Sequence, residues 1–367
     1  MSRIVIDARE SGTSTGRYVD KLIEYLHNLQ PEHEIIILTK IPRLDALKAL
    51  APSFQIVPSD FKEFGFGEQF GLAHQLRKLN PDLVHFAMDR QPILYRRPVI
   101  ATMHDLTTAQ FSNPAKNRLV FKAKQQVYKR VLKDVARKSV YVITPSEYVK
   151  KAVAQYAKIS PGKIIVTYEA ADKISTQTEP MKGLVSEKFI MYVGRPLPHK
   201  NLDRLVEAFA ILQQTNPNLK LVLAGKEDVL YQRLQTKIQK LGLNNIIFTG
   251  FVSEGQLRWL YENTAAYVFP SLSEGFGLPG LEAMAHGAPV VSSNATCLPE
   301  IYGHAAIYFD PLDIDDMAVK IGEVINDPAI ATELVKKGHA QTSKYSWQRM
   351  ATQTLDIYNK AIARRNT

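Results

Sequence analysis

Short apolar runs alternate with segments of helical periodicity along almost the whole chain. Six runs in the first half are rich in β-branched residues and bounded by turn residues, as buried parallel strands are: Ile4–Ile6, Glu34–Leu38, Leu83–Phe86, Val99–Met103, Val140–Ile143 and Ile164–Thr167. Six more follow in the second half: Phe189–Val193, Leu219–Ala224, Ile246–Phe248, Ala266–Phe269, Pro289–Val291 and Ile307–Phe309. This alternation predicts an α/β fold with two parallel sheets, each covered by helices on both faces.

A polar, aperiodic segment over 172–187 separates the two series and predicts a linker. The 367 residues exceed the usual size of a single core. We therefore expect one Rossmann-like domain over 1–171 and a second over 188–347, facing each other across a cleft. Residues 348–367 belong to a predicted last helix, which either packs on the second domain or returns to complete the first. Its apolar side consists of Met350, Thr354, Ile357, Tyr358 and Ala361.

The composition favours a cytoplasmic globular protein. The apolar fraction is 45%, and no run has the length of a membrane span. The apolar segment near the N-terminus is too short for a signal peptide. Cys297 is the single cysteine, which excludes an internal disulfide and a cysteine-based zinc site and fits a reducing compartment.

The formal charge of +10 calls for an anionic partner, and it is concentrated over 116–138. Nine basic residues face one acid there, while Val120, Val127, Val131 and Val135, with Phe121, Tyr128 and Leu132, recur at helical spacing. The pattern predicts a basic amphipathic helix with a buried apolar stripe. Its basic face is either simply solvated or attracted to anionic lipid headgroups at a membrane surface. Nucleic acid is not expected, because no zinc finger, RNP-like motif or recognition helix is evident.

The richest stretch of sequence for function is 271–300. Glu274 and Glu282 stand eight positions apart around a Gly-Phe-Gly turn, between the strand Ala266–Phe269 and a helix expected to start at Pro279. Open α/β sheets bind ligands where a strand ends and a helix begins. Carboxylates suit vicinal hydroxyls, and a helix N-terminus suits an anion. Three backbone N–H groups would face that anion: those of Phe276, Gly277 and Leu278. The ligand indicated is part anion and part polyol; the alternative is a capped helix with solvated acids.

A basic loop, Gly194–Asn201, follows the predicted strand Phe189–Val193. Arg195 and Lys200 in this loop would hold a diphosphate and stabilise the negative charge of a leaving phosphate. The alternative is a basic loop with a solvated lysine.

Two weaker signals lie in the first half. Gly12 and Gly16 in the loop after the first strand allow close approach to a ligand, although their spacing is not a dinucleotide fingerprint. His104 and Asp105 follow Val99–Met103 and could orient an acceptor or position a proton, although a lone histidine is more often structural.

Several chemistries are disfavoured by the motifs. There is neither a P-loop nor a nucleophile elbow in the sequence. Asp313 and Asp315 have the spacing of a metal-binding pair, but they open a predicted helix over 313–326, where acids cap the helix. We therefore expect no essential metal and no cofactor.

Taken together, these motifs resemble those of the retaining glycosyltransferases of family 4, which have the GT-B fold. The resemblance spans nearly the whole chain. It is carried by E-x7-E (Glu274 to Glu282), G-R-x-x-x-x-K (194–200), AGK (224–226), FTGFVS (248–253), HDL (104–106), GRY (16–18) and the terminal Ser346–Trp347. It implies metal-independent transfer of a sugar from a nucleotide donor held by the second domain to an acceptor held by the first, with retention of anomeric configuration.

The resemblance also implies roles for individual residues. Glu274 binds the donor sugar, Glu282 binds the ribose diol, Arg195 and Lys200 clamp the diphosphate, and His104 lies near the reacting carbon. Further contacts are implied for Phe251, Phe276, Gly277 and Leu278 on the donor, and for Gly12, Gly16 and Asp105 beside the diphosphate and the acceptor. There are two departures from the family pattern. Gly12 and Gly16 are not adjacent, and Tyr168-Glu169-Ala170-Ala171-Asp172 replaces a frequent Asn-Gly pair. Both leave acceptor identity open.

We expect a cytoplasmic glycosyltransferase of cell-surface polysaccharide synthesis, peripheral at the inner face of the membrane. GDP-mannose is favoured as donor, because the HDL and GRY segments resemble those of mannosyltransferase-like members. A glycan or a polyprenyl-diphosphate-linked glycan is the expected acceptor. The alternatives are a transferase that uses UDP-glucose, UDP-GlcNAc or dTDP-rhamnose, a nucleotide-sugar epimerase, and an inactive nucleotide-sugar-binding module.

Overall fold

The computed structural model describes residues 1–13, 15–61, 65–111 and 118–364, with the backbone alone described over 118–124. The chain divides into two compact units. Unit 1 comprises Met1–Ala109, Ala123–Glu169 and Ser346–Thr367, and unit 2 comprises Gln110–Lys122 and Ala170–Tyr345. The predicted linker, 172–187, contains no helix or strand and belongs to unit 2.

Unit 1 is built on a parallel sheet, which has seven strands among the described residues, in the order β3-β2-β1-β4-β5-β6-β7. The strands are β1 (Arg3–Asp7), β2 (Glu34–Thr39), β3 (Gln55–Pro58), β4 (Leu83–Phe86), β5 (Val99–Thr102), β6 (Tyr141–Thr144) and β7 (Ile164–Val166). The helices in this half of the chain are α1 (Arg17–Leu29), α2 (Leu44–Leu50), α3 (Ala73–Leu79), α4 (Thr107–Gln110), α5 (Arg118–Lys138) and α6 (Glu147–Ala157). Shorter helical turns lie at Ile41–Arg43, Gly67–Leu72 and Pro161–Lys163.

Unit 2 is built on a second parallel sheet, with six strands in the part of the chain that the structure describes, in the order β10-β9-β8-β11-β12-β13. The strands are β8 (Phe189–Val193), β9 (Lys220–Ala224), β10 (Ile246–Gly250), β11 (Ala266–Phe269), β12 (Val290–Ser293) and β13 (Ala306–Phe309). The helices are α7 (Leu202–Thr215), α8 (Val229–Lys240), α9 (Glu254–Asn263), α10 (Leu278–Ala285), α11 (Leu298–Tyr302), α12 (Ile314–Asn326) and α13 (Pro328–Thr342). The next helix, α14 (Trp347–Ala363), belongs to unit 1. Short 3-10 turns lie at Pro198–Lys200 and Gly303–Ala305.

The strand predictions are confirmed for all twelve runs, with ends that differ by at most two residues. Sequence reasoning missed β3, because Gln55–Pro58 is a short edge strand that is only half buried and ends in a proline. The interior strands are easier to predict, since they are buried on both faces and therefore almost continuously apolar.

The last helix, α14, returns to unit 1 and packs against α1 and β4. Its predicted apolar side is buried. Tyr358 Oη lies 2.6 Å from Nδ1 of His85 on β4, and His85 Nε2 lies 2.8 Å from Thr102 Oγ1. The helix therefore completes the core of unit 1.

The predicted basic helix corresponds to α5, but the apolar stripe was partly wrong. Leu132 and Val135 are buried as expected, whereas Val127 is 64% exposed. Val120 and Phe121, with the basic side chains over 116–124, lie outside the residues whose side chains are described. No helix among the described residues is long and apolar enough to cross a membrane.

Candidate functional site

The loops after β8 and β11 lie at a switch point of the unit 2 sheet. Strand β8 is hydrogen-bonded to β9 on one side and to β11 on the other, and all the described pairings are parallel. Along the chain, successive strands are therefore added outward from β8 on both of its sides. Because the pairing is parallel, the carboxyl ends of β8 and β11 share one edge. Open α/β sheets bind ligands at this position. The sequence places its basic loop after β8 and Glu274 after β11.

The structure brings together two of the predicted residues, Lys200 and Glu274. Lys200 Nζ donates to Glu274 Oε1 at 2.6 Å, and the two side chains are 19% and 12% exposed. The same ammonium lies 5.6 Å from the centre of the Phe269 ring, at the end of β11. This contact joins the basic loop to the acidic loop and leaves both charges accessible to a ligand.

The backbone of Glu274 is fixed by the loop that follows β12. Its N–H donates to Thr296 Oγ1 at 3.1 Å, and its carbonyl oxygen accepts from Cys297 Sγ at 3.3 Å. Thr296 has a φ of 56°, a left-handed conformation that is rare for a β-branched residue. Strained residues persist where surrounding contacts hold them, and they cluster at functional sites. The strained backbone of Thr296 thus belongs to the loop that fixes the position of Glu274.

Helix α10 begins at Leu278, one residue before the Pro279 that was predicted as its start. Gly277 caps the helix with a φ of 91°, and its carbonyl oxygen accepts from Tyr302 Oη at 2.5 Å. A Cβ at Gly277 would collide with Tyr302 and Leu298, so only glycine fits. The N–H groups of Gly277 and Leu278 donate to no described residue, as expected for the first groups of a helix.

The second glutamate, Glu282, lies within α10 and is buried. Its Oε2 accepts from Tyr261 Oη at 3.4 Å. Phe276 is also buried and packs edge-on against Tyr345. Glu274 and Glu282 therefore occupy different surroundings, one in the loop and one in the helix, as the sequence predicted.

Arg195 does not contact the Lys200–Glu274 pair. Its Nη2 and Nε donate to Asp228 Oδ2 at 2.6 and 3.1 Å, and the Arg195 side chain is 61% exposed. Asp228 also caps α8, accepting from the N–H groups of Leu230 and Tyr231. Burial raises the pKa of Asp228, but the hydrogen bonds from Arg195 and these backbone groups outweigh it and lower the pKa. Phe251 is 87% exposed just after the edge strand β10.

The described residues of the glycine loop in unit 1 form turns between β1 and α1. Gly16 caps α1, and a Cβ there would overlap the carbonyl oxygen of Glu10. Gly12 donates its N–H to Asp20 Oδ2 at 3.0 Å. Asp105 Oδ1 accepts from the N–H of Thr107 at 2.7 Å. These predicted residues have structural roles in unit 1, and their predicted role beside a ligand stays a prediction.

His104 is held between two hydrogen-bond acceptors. Its Nδ1 lies 3.1 Å from Glu169 Oε1, and its Nε2 lies 3.0 Å from the carbonyl oxygen of Ala87. Neither partner can donate, so both ring nitrogens carry protons when both bonds form. Burial lowers the pKa of His104, but the hydrogen bond and charge of Glu169 outweigh it and raise the pKa. Tyr18 packs edge-on against the ring at 4.8 Å. The two acceptors therefore fix the orientation of a protonated, positively charged imidazole ring.

Sequence reasoning missed four residues that position the predicted ones: Glu169, Asp228, Thr296 and Tyr302. Glu169 carried a signal, because it stands where the family often has Asn-Gly. Asp228 follows the AGK segment and precedes α8, which is the position of a helix cap. Thr296 and Tyr302 carried none, since their contacts depend on the loop geometry.

The acids at the start of α12 cap the helix. Asp313 Oδ1 accepts from the N–H groups of Asp315 and Asp316, both at 3.0 Å. This is the capping arrangement that the sequence predicted for Asp313.

Two family models match consecutive parts of this chain. The model described as Glycosyltransferase Family 4 matches residues 15–173, and the model described as Glycosyl transferases group 1 matches residues 177–341. The chain belongs to this family of glycosyltransferases, and the enzyme class predicted from the motifs is confirmed.

Relatives and solved structures agree with this assignment. The O-antigen chain mannosyltransferase B of Escherichia coli is 27% identical over 330 residues, which are 86% of this chain and 79% of the relative. The serotype-specific mannosyltransferase WbdA of Escherichia coli is 31% identical over 59% of this chain, but the match spans only 28% of WbdA. Sucrose-phosphate synthase from Thermosynechococcus elongatus superposes with a TM-score of 0.77 at 19% identity, over 99% of this chain and 100% of that one. HepE of Anabaena, solved with UDP, also superposes with a TM-score of 0.77 at 19% identity, over 98% of this chain and 100% of HepE. The predicted GT-B fold is confirmed.

Proposed function

We propose that this glycosyltransferase moves mannose from GDP-mannose to a glycan acceptor of a cell-surface polysaccharide, with retention of anomeric configuration. We assign donor binding to unit 2 and acceptor binding to unit 1. The choice of mannose rests on the relatives, several of which are named mannosyltransferases. The choice of GDP as the nucleotide rests on the resemblance of the HDL and GRY segments.

The observation that carries the donor site is the contact between Lys200 and Glu274. One ammonium and one carboxylate meet at the switch point of the sheet, beside the N-terminus of α10. A nucleotide sugar offers a diphosphate to the first and hydroxyl groups to the second. We propose that ligand binding separates the pair, so that Lys200 turns to the diphosphate and Glu274 to the sugar. Arg195 is accessible enough to join Lys200 on leaving its contact with Asp228.

The proposed reaction breaks the bond between the anomeric carbon and the diphosphate oxygen. The acceptor hydroxyl attacks on the same face, its oxygen forms the new glycosidic bond, and its proton passes to the leaving diphosphate. Lys200 and Arg195 would stabilise the departing charge, a role that needs no metal. His104, whose two protonated nitrogens are bonded to Glu169 and Ala87, would act as an oriented cation instead of a base.

The test is a thermal-shift screen of GDP-mannose, UDP-glucose, UDP-GlcNAc and dTDP-rhamnose. A ligand at 100 times its dissociation constant stabilises the folded protein by about 2.7 kcal/mol. We expect the largest shift with GDP-mannose. A larger shift with another donor would replace mannose or GDP in the proposal, and UDP is the specific competitor because HepE was solved with it. No shift with any nucleotide sugar would overturn the donor site.

Transfer must be distinguished from epimerisation and from binding alone. An epimerase would convert the donor without an acceptor, whereas a transferase needs one. We therefore expect NMR spectra of GDP-mannose with enzyme alone to show no new sugar, and to show GDP release when an acceptor is added. Binding without turnover for every acceptor tried would favour an inactive module.

For the acceptor we propose a polyprenyl-diphosphate-linked glycan, reached by peripheral association with the membrane through α5. Arg130, Arg137 and Lys138 are exposed on this helix, and so is Val127. Basic residues near an anionic surface contribute about 1 kcal/mol each. Changing Lys122, Lys124, Lys129 and Arg130 to Glu should release the protein from anionic liposomes. Unchanged liposome binding would contradict the membrane proposal without affecting the donor site.

A further inference from the structure

A cavity lies in unit 1, at the edge of the sheet opposite to the one that carries His104. It has a volume of about 680 Å³ and is lined by the residues just before β5, β6 and β7 and by the end of α14. All the described strands of this sheet are parallel, so the amino ends of β5, β6 and β7 share one edge, and the carboxyl ends that carry His104 share the other. Pockets of this size hold small ligands. We call it the Lys163 cavity.

The charge of the Lys163 cavity is positive. Lys163 and Arg364 line it, and no acidic residue does so within the described chain. Lys163 Nζ donates to the carbonyl oxygen of Arg137 at 2.5 Å, and no described carboxylate lies within ion-pair distance of it. Burial and the like charge of Arg364 both lower the pKa of Lys163. An anion in the cavity would be attracted by both of these side chains.

Hydroxyl groups in the lining of the cavity favour a phosphate over an anion with fewer hydrogen-bond acceptors. Ser160 Oγ accepts from the N–H of Gly162 and keeps its own proton for donation. Tyr141 also lines the cavity, and its hydroxyl has no partner among the described residues. A phosphate group has several strong acceptor oxygens, which suit an ammonium, a guanidinium and hydroxyls at once.

We propose that the Lys163 cavity binds a phosphate-bearing anion, at a site separate from the donor pocket of unit 2. Its volume leaves room for an organic group attached to the phosphate. The phosphate could belong to a soluble phosphorylated molecule or to a lipid headgroup, and the chemistry of recognition is the same for both.

The test uses the full-length protein with two probes, sn-glycerol 3-phosphate in solution and vesicles that contain phosphatidylglycerol. Lys163→Met removes the charge and keeps most of the side-chain stem, while Lys163→Arg keeps the charge. Lys200→Ala is the matched control, because it removes an ammonium from the donor pocket alone. Calorimetry measures the soluble probe, sedimentation measures the vesicles, and thermal unfolding checks that each variant is folded.

We expect Lys163→Met to weaken binding of one probe by at least about tenfold, and Lys163→Arg and Lys200→Ala to bind like wild type. Loss of soluble-probe binding would identify a soluble ligand, and loss of vesicle binding alone would identify a headgroup. Wild-type affinity of Lys163→Met for both probes would overturn the proposal, and so would the absence of binding by wild type. Sugar transfer by Lys163→Met is expected to be unchanged.

Discussion

Charged side chains lie near the carboxyl ends of strands in both units, but they differ in exposure. In unit 1 Arg9 bonds to Asp7 and Glu68, and all three side chains are less than a tenth exposed. In unit 2 the pairs Lys200–Glu274 and Arg195–Asp228 reach solvent. A buried pair that loses one partner leaves an uncompensated charge, whereas an accessible pair can exchange its partner for a ligand. The difference suggests that the buried cluster maintains the fold of unit 1 and the accessible pairs bind substrate.

The largest effect should follow from breaking the buried cluster. Arg9→Met would leave two buried carboxylates without their cation, and we expect a loss of about 3–5 kcal/mol in the free energy of unfolding. Hydrogen exchange of the β1 amides measures this loss within unit 1. The matched variant, Arg195→Met, should cost no more than about 1 kcal/mol, because its ion pair is exposed. Equal losses in the two variants would contradict the comparison.

Glu274→Ala should abolish transfer. Removing a group that contacts the sugar through charge-assisted hydrogen bonds should lower kcat by at least about 10²–10³-fold. Affinity for the free nucleoside diphosphate should stay close to wild type, because Lys200 loses only its carboxylate partner. Calorimetry with GDP and a radiolabelled transfer assay measure the two quantities separately. Glu333→Ala, a surface change on α13, should alter neither. If the GDP affinity of Glu274→Ala fell as steeply as its kcat, the separate roles of the two side chains would be wrong.

Lys200→Ala should weaken binding of the nucleoside diphosphate by about 1.5–3 kcal/mol, the range for a hydrogen bond to a charged group. Lys237→Ala makes a matched control. It removes the same charge from unit 2, but its ammonium bonds to Asp203 and Glu207 on α7. We expect calorimetry to find wild-type affinity in that variant. Equal affinities of wild type and Lys200→Ala would remove Lys200 from the diphosphate site.

The sequence was sufficient to predict most of the accessible charged residues of unit 2, but it did not predict the buried cluster of unit 1. Glu274, Glu282 and Lys200 could be found because their motifs are local and follow apolar strands. The cluster of Arg9, Asp7 and Glu68 could not, since Glu68 is distant in sequence and its burial depends on how a separate helical turn packs. The partner of Arg195 was missed for the same reason: Asp228 belongs to the loop after the neighbouring strand β9. Long-range pairing of charges is set by tertiary contacts, which neither periodicity nor spacing encodes.

The smallest expected effect concerns His104, whose side chain is half-buried, at 22% exposed, and pairs with the buried Glu169. Its folded pKa is raised above the ordinary value near 6.5 by Glu169, which outweighs burial. A raised pKa stabilises the fold fully below pH about 6.5, and that stability is lost as the pH rises through the folded pKa. Asp105 also favours the imidazolium. Asp89 attracts the charge of His104, and His85 would repel it if protonated.

Glu169→Gln keeps the shape of this partner and removes its charge. Burial should then dominate, so we expect the pKa of His104 to fall below its wild-type value and the loss of stability above pH about 6.5 to flatten. NMR titration of the imidazole reports the pKa directly, and thermal unfolding between pH 6 and 9 reports the stability. Transfer by Glu169→Gln should lose activity at a lower pH than wild type, because the imidazolium deprotonates earlier. An unchanged titration midpoint would mean that Glu169 does not set the charge of His104, and the role proposed for this imidazolium as an oriented cation would fail with it.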